Sequence, residues 1–377
     1  MSEFKILKEL LNCLSEINFD SFEVGPGDDC ALVSLNPGSL QTSTHSFLVS
    51  SDTLVDRVHF SRDWSTPADI AWKILAVNES DIAAMGGIPL GFTLSLGCTT
   101  ELAESGFLHA LYEGFGEYLR SRKLKLYGGD LVKSDQLFIS VCVFGRPSGN
   151  DNSKLLLRSG ARAGDLLWVS GGIGFAGYGL KILRDGLNCG DPSLRKKALL
   201  KHRRPDPQTL LGRYLAESGL GTAAIDVSDG LFQDAEHIGN SSNSSIVIFP
   251  ELLPVPNSSF FNYQGSPESF DTAWAEYAMM GDDYELLFTT RPDFKSISLP
   301  NGCPEVFLIG QVIERQSSTI FVTGSLVTGE EKEVFSSQLL AGCDVERILP
   351  KDQKLIPLTV YLADNGFNCD SIGYNHF

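Results

Sequence analysis

Carboxylates beside glycines or hydroxyl side chains recur along the sequence, and they are the residues best suited to chemistry. They occur in six places: Gly27-Asp28-Asp29, Ser51-Asp52, Asn78 to Asp81, Gly129-Asp130, Asp226 to Asp229 and Gly281-Asp282-Asp283. One such turn is typical of an ordinary loop, but several here follow a predicted strand and precede a predicted helix, where α/β folds bind ligands. Clustered oxygen ligands with no convergent His/Cys set favour hard ions, Mg²⁺ above Zn²⁺.

Asp81 is the most demanding of these acids, because its helix is largely apolar. The spacing of Ile70 to Gly87 predicts a helix with one continuous stripe: Ile74, Val77, Asn78, Asp81 and Met85. Glu79 is predicted to lie on another face, in contact with water. A buried carboxylate costs several kcal/mol unless a cation, a hydrogen-bond network or protonation neutralises it. The sequence therefore predicts a partner for Asp81 outside its own segment.

Two other kinds of phosphate site are open to test. The sequence contains no GxxxxGK[ST] motif, which excludes a P-loop NTPase. Gly172-Ile-Gly174-Phe-Ala-Gly177 matches the GxGxxG dinucleotide fingerprint after a predicted strand, but the acid expected about 20 residues later falls in a polar segment without a strand. This favours a glycine turn that permits close helix–strand packing. A dinucleotide-dependent oxidoreductase stays open as an alternative.

Nucleophilic catalysis finds no support, since there is no GxSxG elbow and no His with a partner spacing. His59 alone is of interest, because its predicted strand, residues 54–60, continues the run that contains Ser51 and Asp52. The other elements that must position the acids are an N-cap at residues 63–67, strands over 91–98, 124–127 and 137–145, and a long helix over 101–122. In the second half, a helix is predicted from about Phe175, and strands are predicted to end at Asp226 and to follow Asp283.

Length and composition bound the class of protein. A chain of 377 residues with 42% hydrophobic and 20% charged residues predicts two globular domains, 1–147 and 154–377, joined by the PSGNDNS segment at 147–153. The N-terminal segment predicts an amphipathic helix and no signal peptide, no apolar run could span a membrane, and the eight cysteines lack CxxC spacing, so a cytoplasmic protein is expected. The net charge of −17 argues against nucleic acid as a partner.

In combination and order, nine motifs resemble the thiamine-monophosphate kinase family over nearly the whole chain. They are GPGDDCAL (25–32), SSDTLVDRVHF (50–60), WKILAVNESDIAAMGG (72–87), YGGD (127–130), RSGARAGD (158–165), HRRPDP (202–207), IDVSDGL (225–231), GDDYELLF (281–288) and the terminal GYNHF. The wider superfamily includes aminoimidazole ribonucleotide synthetase and selenophosphate synthetase, which share the acidic ATP site.

The resemblance implies a fold and an activity. The fold would be α+β (mixed α/β) with two domains: an N-terminal mixed-sheet domain that pairs in a homodimer and a C-terminal α+β sandwich domain, with the active site between them. The activity would be ATP-dependent phosphorylation of thiamine monophosphate to thiamine diphosphate, by direct in-line transfer assisted by several Mg²⁺ ions. The acceptor phosphate is itself nucleophilic, which accounts for carboxylates without a triad.

By motif position, the resemblance also implies site residues. The Mg²⁺ ligands would be Asp29, Ser51, Asp52, Asp81, Asp130, Asp226 and Asp229. Contacts to ATP would come from Tyr112, Gly129, Asp130, Arg158 and Ser228, and transfer would be assisted by Asp52, Asp81, Asp130 and Arg158, with no covalent intermediate. The thiamine phosphate would contact His59 and Asp282, with Ser371 where the family often has an aromatic residue. Asp282 replaces an expected Glu, which shortens its reach by one methylene.

Three alternatives to this kinase remain at the level of sequence. The nearest is another ATP-using member of the same superfamily that acts on a different acceptor. The second is the dinucleotide-dependent oxidoreductase built on Gly172 to Gly177. The third is a non-catalytic protein that binds divalent ions through structural carboxylates.

Overall fold

The chain folds into two compact units, each built on a mixed β-sheet with helices packed against it. A computed structural model describes residues 10, 22–25, 27–34, 46–149, 154–256, 270–292, 299–323 and 355–364. One unit comprises the described residues up to Leu155 together with Arg203–Thr209, and the other comprises Leu156–His202 and the described residues from Leu210 onward. The predicted N-terminal helix, Ser371 and the terminal GYNHF lie outside the described residues. The mixed α/β, two-domain fold class is confirmed.

The first unit contains a six-stranded sheet in the order β1-β2-β3-β6-β4-β5. The strands are β1 (Phe22–Val24), β2 (Ala31–Ser34), β3 (Ser46–Val55), β4 (Ile88–Cys98), β5 (Lys125–Lys133) and β6 (Phe138–Arg146). The β4–β5 pair is parallel and the other pairs are antiparallel. Its helices are α1 (Pro67–Ala84), α2 (Thr100–Glu104) and α3 (Phe107–Arg122).

Helix α1 is the central helix of this unit. Its N-terminus is a capping box, in which the Thr66 side chain accepts from the Asp69 amide and the Asp69 carboxylate accepts from the Thr66 amide. It packs on β3, β4, β6 and α3. Because 13 of its 18 residues are buried, α1 is enclosed on all sides, unlike an ordinary amphipathic surface helix.

This enclosure corrects the prediction for Glu79, which is only 1% exposed. The Tyr118 hydroxyl on α3 donates to Glu79 Oε2 at 2.5 Å, and Arg122 on the same helix is a further charge near it. Burial raises the pKa of Glu79 despite both neighbours. Asn78 and Asp81 both belong to the predicted apolar stripe. Asn78 is fully buried in the structure, whereas Asp81 is partly exposed.

Three predicted element boundaries are wrong. The strand predicted over residues 54–60 stops at Val55, and a turn with Arg57 at φ +68° follows. The helix predicted over 101–122 is two helices, because Gly106 adopts φ +82° between them. The 124–127 strand continues through Gly128-Gly129-Asp130 to Lys133, paired in parallel with β4, so that motif lies within a strand and not at its end.

A segment from later in the chain, Arg203–Thr209, belongs to the first unit and packs on α1 and α3. The Arg204 guanidinium pairs with Asp69 at 2.6 Å and with Glu117 at 3.0 Å. The Trp72 indole N–H donates to the Pro205 carbonyl at 2.8 Å. The HRRPDP motif therefore supplies polar contacts that close one side of the helix pair.

The second unit contains a seven-stranded sheet in the order β13-β12-β9-β11-β7-β10-β8, in which only the β12–β9 pair is parallel among the described strands. The strands are β7 (Leu166–Ser170), β8 (Gly221–Asp226), β9 (Ser244–Ile248), β10 (Leu286–Thr290), β11 (Val306–Glu314), β12 (Ile320–Thr323) and β13 (Leu355–Pro357). The α-helices described are α4 (Phe175–Arg184), α5 (Pro192–Arg203), α6 (Thr209–Ser218), α7 (Leu231–Ser241), α8 (Phe270–Met279) and α9 (Leu358–Asp364).

Two clusters of buried side chains stabilise this unit. The larger joins the sheet to α7 and α8, with Phe232 and Trp274 in edge-to-face contact at 5.8 Å between ring centroids. The smaller joins α4, α5 and α8 through Tyr178, Ala198 and Tyr277. No disulfide links the cysteines that the structure describes. Among the described helices, none has the length and apolar character needed to cross a bilayer.

Loss of the Arg204 ion pairs is expected to destabilise the first unit. Arg204→Gln leaves the partly buried Asp69 without its charged partner, a loss of about 2 kcal/mol for a hydrogen bond to a charged group. At roughly 2–4 °C per kcal/mol for a domain of 150–250 residues, the melting temperature should fall by several degrees.

The matched control is Arg213→Gln, which removes a solvent-exposed i,i+4 pair with Glu217. Exposed pairs contribute about 0.3–0.5 kcal/mol, so calorimetry should detect a shift of at most 1–2 °C or so. Equal shifts for the two variants would contradict the stabilising role given to Arg203–Thr209.

Candidate functional site

Two of the predicted metal ligands lie together in the first unit. Asp29 follows β1 on a loop and is 6% exposed, and Asp81 lies near the C-terminal end of α1. A carboxylate oxygen of Asp29 is within 4.8 Å of one from Asp81. Ionised carboxylates at this separation repel each other, and a divalent cation coordinated by both would remove that repulsion. The donor set therefore fits the predicted Mg²⁺.

Ser51 and Asp52 lie on β3, next to α1. The Ser51 hydroxyl donates to the Val141 carbonyl on β6 at 2.9 Å, and its oxygen keeps lone pairs that can coordinate a metal. The Asp52 backbone N–H donates to Asn78 Oδ1 at 3.1 Å, which links β3 to α1. The turn after β1, strand β3 and helix α1 thus each contribute an acid to this unit.

Three further predicted site residues of the first unit, Tyr112, Gly129 and Asp130, are exposed. Gly129 and Asp130 are exposed on β5, and a Cβ at Gly129 would come within 2.2 Å of the Leu94 carbonyl oxygen, so glycine is required for the β4–β5 approach. Asp130 accepts from the amide of Leu131. Tyr112 on α3 is 45% exposed, with its ring edge-to-face with Phe115.

His59 has a defined tautomer in this geometry. Its Nδ1 accepts a hydrogen bond from the Val55 amide at 3.0 Å, so the neutral ring carries its proton on Nε2. The buried Lys73 ammonium donates to the His59 carbonyl at 3.2 Å and holds the turn in place. This arrangement leaves His59 Nε2 as a hydrogen-bond donor, which is the property needed to contact a phosphate oxygen.

In the second unit, backbone hydrogen bonds join the two acidic loops. The Val227 amide donates to the Glu285 carbonyl at 2.7 Å, the Tyr284 amide to the Val227 carbonyl at 2.8 Å, and the Asp282 amide to the Ser228 carbonyl at 2.8 Å. Strands β8 and β10 pair just beyond, with Asp226 opposite Leu286. The predicted metal ligand Asp226 and the predicted substrate contact Asp282 therefore come from adjacent loops.

Side chains in these loops are held by local bonds. Asp226 is 2% exposed, whereas Ser228, Asp229 and Asp282 are partly exposed. Gln233 donates to Asp229 Oδ2 at 3.1 Å, and the Tyr284 hydroxyl donates to Asp282 Oδ1 at 3.1 Å. Asp282 has φ +70°, a left-handed conformation that costs a non-glycine residue energy and is often found at functional sites.

Arg158 lies on the segment that precedes β7, and its backbone is fixed to the end of α7. The Ser242 hydroxyl donates to the Arg158 carbonyl at 3.3 Å and accepts from the Ala161 amide at 3.1 Å. Burial together with the positive charge of Arg158 lowers the pKa of His237 to about 4. His237 is therefore neutral at pH 7.

The glycine-rich turn before α4 is explained by internal contacts. The Asp283 carboxylate accepts from the amides of Gly174 and Ala176, at 2.5 and 3.0 Å, and so occupies the helix N-terminus where a dinucleotide phosphate would bind. A Cβ at Gly174, which has φ +78°, would come within 2.5 Å of Tyr277. These contacts favour the packing interpretation over the dinucleotide one.

Two polar residues of the predicted turns and stripe make contacts that sequence reasoning does not reveal. The sequence places Asp283 in an acidic turn but does not predict its bonds, because its partners lie 107 and 109 residues earlier in the chain. Asn78 is a polar member of the predicted stripe, but the stripe does not show its hydrogen bond with the Asp52 amide.

The burial of Asp283 predicts a pH-dependent stability. Burial raises its pKa to about 7, although the Ala176 and Gly174 amides and the Lys201 ammonium oppose the rise. Between the ordinary value of 3.8 and about 7, the folded state keeps a proton that the unfolded state loses, so this contribution falls as the pH rises. The difference corresponds to roughly 4 kcal/mol, at about 1.4 kcal/mol per pKa unit.

Asp283→Asn removes this titration, so the melting temperature of the wild type minus that of the variant should shrink between pH 5 and pH 8. Calorimetry over this range checks the sign. A difference that grows with pH would show instead that ionised Asp283 is the more stable form in the fold.

Comparisons with known proteins agree with this geometry. Residues 27–146 match the family model for AIR synthase related protein, N-terminal domain. The chain is 33% identical over 329 residues to thiamine-monophosphate kinase of Bacillus subtilis, with 85% of this chain and 94% of that protein covered. It is 36% identical over 288 residues to thiamine-monophosphate kinase of Escherichia coli K12, with coverage of 76% and 82%.

A solved structure is also similar over most of the chain. The complex of AaThiL with AMPPCP and TMP has a TM-score of 0.69 and 29% identity, covering 85% of this chain and 93% of that one. The identity to both kinases exceeds 30%, and each match covers more than two thirds of this chain. The chain belongs to the thiamine-monophosphate kinase family.

Proposed function

We propose that this protein transfers the γ-phosphoryl group of ATP to the phosphate of thiamine monophosphate, giving thiamine diphosphate and ADP. The observation that carries the proposal is the 33% identity to a thiamine-monophosphate kinase over 85% of the chain. The AaThiL complex with AMPPCP and TMP supports an ATP-type nucleotide and a second phosphate ligand as the two substrates.

The metal ligands in this proposal come from both units. Asp29, Ser51, Asp52, Asp81 and Asp130 of the first unit would bind Mg²⁺, and so would Asp226 and Asp229 of the second. The approach of Asp29 to Asp81 supports the first group. Bound Mg²⁺ would offset the repulsion between the triphosphate of ATP and the phosphate of thiamine monophosphate.

The chain's own residues would bind and align the substrates. Tyr112, Gly129, Asp130, Arg158 and Ser228 would contact ATP, with the Arg158 guanidinium binding phosphate oxygens. His59 would donate from Nε2 to the phosphate of thiamine monophosphate. Asp282, on its left-handed turn, and Ser371 would complete the substrate contacts. Because the acceptor is already anionic, transfer would be direct and in line, without a general base or a phosphoenzyme.

Product analysis tests the proposal. The full chain with ATP, Mg²⁺ and thiamine monophosphate should form thiamine diphosphate and ADP in equal amounts, separated by chromatography. Consumption of ATP only with other acceptors would select a sister enzyme of the superfamily. Transfer of γ-³²P to the protein itself would overturn the direct mechanism.

Asp81→Asn should abolish activity while the fold remains intact. The substitution removes a proposed Mg²⁺ ligand and also the repulsion with Asp29, so the metal-free protein should melt at the same temperature or higher. Turnover and thermal denaturation in chelator measure the two effects.

Asp135→Asn is the matched control, because Asp135 is an exposed carboxylate of the same unit between β5 and β6. It should keep wild-type turnover. Full turnover by Asp81→Asn would remove the metal role of Asp81 from the proposal.

The proposal includes a homodimer and a cytoplasmic location. Strand β5 pairs only with β4 among the described strands, so one side of it is a sheet edge. Leu126, Tyr127, Leu131 and Val132 on β5 are 38–56% exposed. An edge strand with exposed apolar residues is a surface that a second copy of the chain could cover.

Charge on that strand should therefore break the dimer. Leu131→Lys is expected to halve the mass measured by light scattering, because a lysine cannot be buried there without a partner. Leu200→Lys on α5, with the same type of residue exposed to 54%, is the control and should leave the mass unchanged. A dimeric Leu131→Lys protein would place the interface elsewhere.

A further inference from the structure

Asn78 is a buried amide that connects the helix and the strand carrying two proposed metal ligands. It lies on α1, is 0% exposed, and forms two hydrogen bonds. Its Oδ1 accepts from the backbone N–H of Asp52 at 3.1 Å, and its Nδ2 donates to the Ile74 carbonyl at 2.9 Å. One side chain thus joins β3 to the preceding turn of α1.

These two bonds require an amide at this position. The Oδ1 atom accepts from the Asp52 N–H and the Nδ2 atom donates to the Ile74 carbonyl, so a carboxylate would keep only the first bond and a hydrocarbon neither. A buried polar group without its partner costs about 1–3 kcal/mol. A core amide that served only stability could meet any buried backbone group, but this one meets the N–H of a proposed metal ligand.

Asn78 also lies close to the second proposed metal ligand on its helix. Asp81 follows three residues later, on the same face of α1. The amide therefore fixes the backbone of Asp52 relative to the helix that carries Asp81. Metal sites need their ligands held within about 0.5 Å, and removing an outer residue that holds a ligand typically weakens metal binding about 10–100-fold.

We propose that Asn78 is a positioning residue that aligns Asp52 with Asp81 and so sets the affinity of the first unit for Mg²⁺. This inference rests on the metal role given to those carboxylates in the proposed function. Asn78 would itself touch neither the metal nor either substrate.

Asn78→Ser tests the hydrogen bond that Asn78 Oδ1 accepts from the Asp52 N–H. Serine can still donate to the carbonyl four residues earlier, but it is too short to reach the Asp52 N–H. We expect the Mg²⁺ concentration that half-saturates the protein to rise about tenfold or more. The readouts are the Mg²⁺-dependent rise in melting temperature with a non-hydrolysable ATP analogue and the Mg²⁺ dependence of turnover in the full chain.

Two further variants separate positioning from stability. Val77→Ala truncates a neighbouring buried side chain of α1 that is 2% exposed, so it should lower the melting temperature and leave the Mg²⁺ midpoint within about twofold. Asn78→Asp keeps the acceptor for Asp52 and loses the donor to Ile74. It should lose stability without raising the Mg²⁺ requirement.

The outcomes distinguish this inference from the proposed function. A wild-type Mg²⁺ midpoint in Asn78→Ser, or equal midpoint shifts in Asn78→Ser and Asn78→Asp, would overturn the positioning role. Asp52→Asn serves as the reference for loss of a ligand. If Asp52→Asn binds Mg²⁺ like the wild type, the metal role of Asp52 fails and the inference fails with it. If Asp52→Asn loses the response and Asn78→Ser keeps it, only the inference fails.

Discussion

Repulsion between carboxylates is the constraint on which the first unit depends. Oxygens of Asp29 and Asp81 lie within 4.8 Å of each other. At an effective dielectric of about 20, two unit charges at this separation repel by roughly 3 kcal/mol. A pair held this close needs at least one rigid element, and Asp81 is carried by a helix whereas Asp29 lies on a loop. In the proposed function, a bound cation would offset this repulsion.

The rigid element is α1, and its enclosure explains much of the unit. A Cβ at Gly114 would come within 2.7 Å of the Ala68 Cα, so α3 packs directly on the α1 backbone. Tyr118 reaches across to Glu79, and Arg204 reaches Asp69 from a distant part of the chain. Rotation of α1 would break these contacts together. Asp81 is therefore presented by a helix whose orientation is fixed from several directions.

Local patterns predicted the elements that local chemistry determines. The cap before Pro67, the strand over 137–145 and the helix beginning at Phe175 follow from capping residues and periodicity, and the structure confirms them. The sequence predicts that Glu79 faces solvent. Its burial comes from packing against α3, which no local pattern reveals. Strand β5 extends through two glycines because parallel pairing with β4 stabilises it, which propensity alone cannot show.

The same limit applies to the sites. Residue type and turn chemistry indicate candidate acids, but they do not show that Asp29 approaches Asp81. That gap is clearest at α4, where backbone amides of a fingerprint typical of phosphate binding donate instead to the carboxylate of Asp283. Glycines that let a phosphate approach backbone amides equally let an internal carboxylate approach them.

The bonds between the Asp283 carboxylate and the N-terminus of α4 also stabilise the turn that contains Asp283. Asp283 lies between Asp282 and Tyr284, which both have positive φ, and its bonds to α4 hold this strained turn against the helix. Glu285 adds a second anchor through Ser170 and Lys201. The strain of a left-handed Asp282 persists only if its surroundings enforce it. The helix N-terminus therefore fixes the residue beside Asp282, which is a proposed substrate contact.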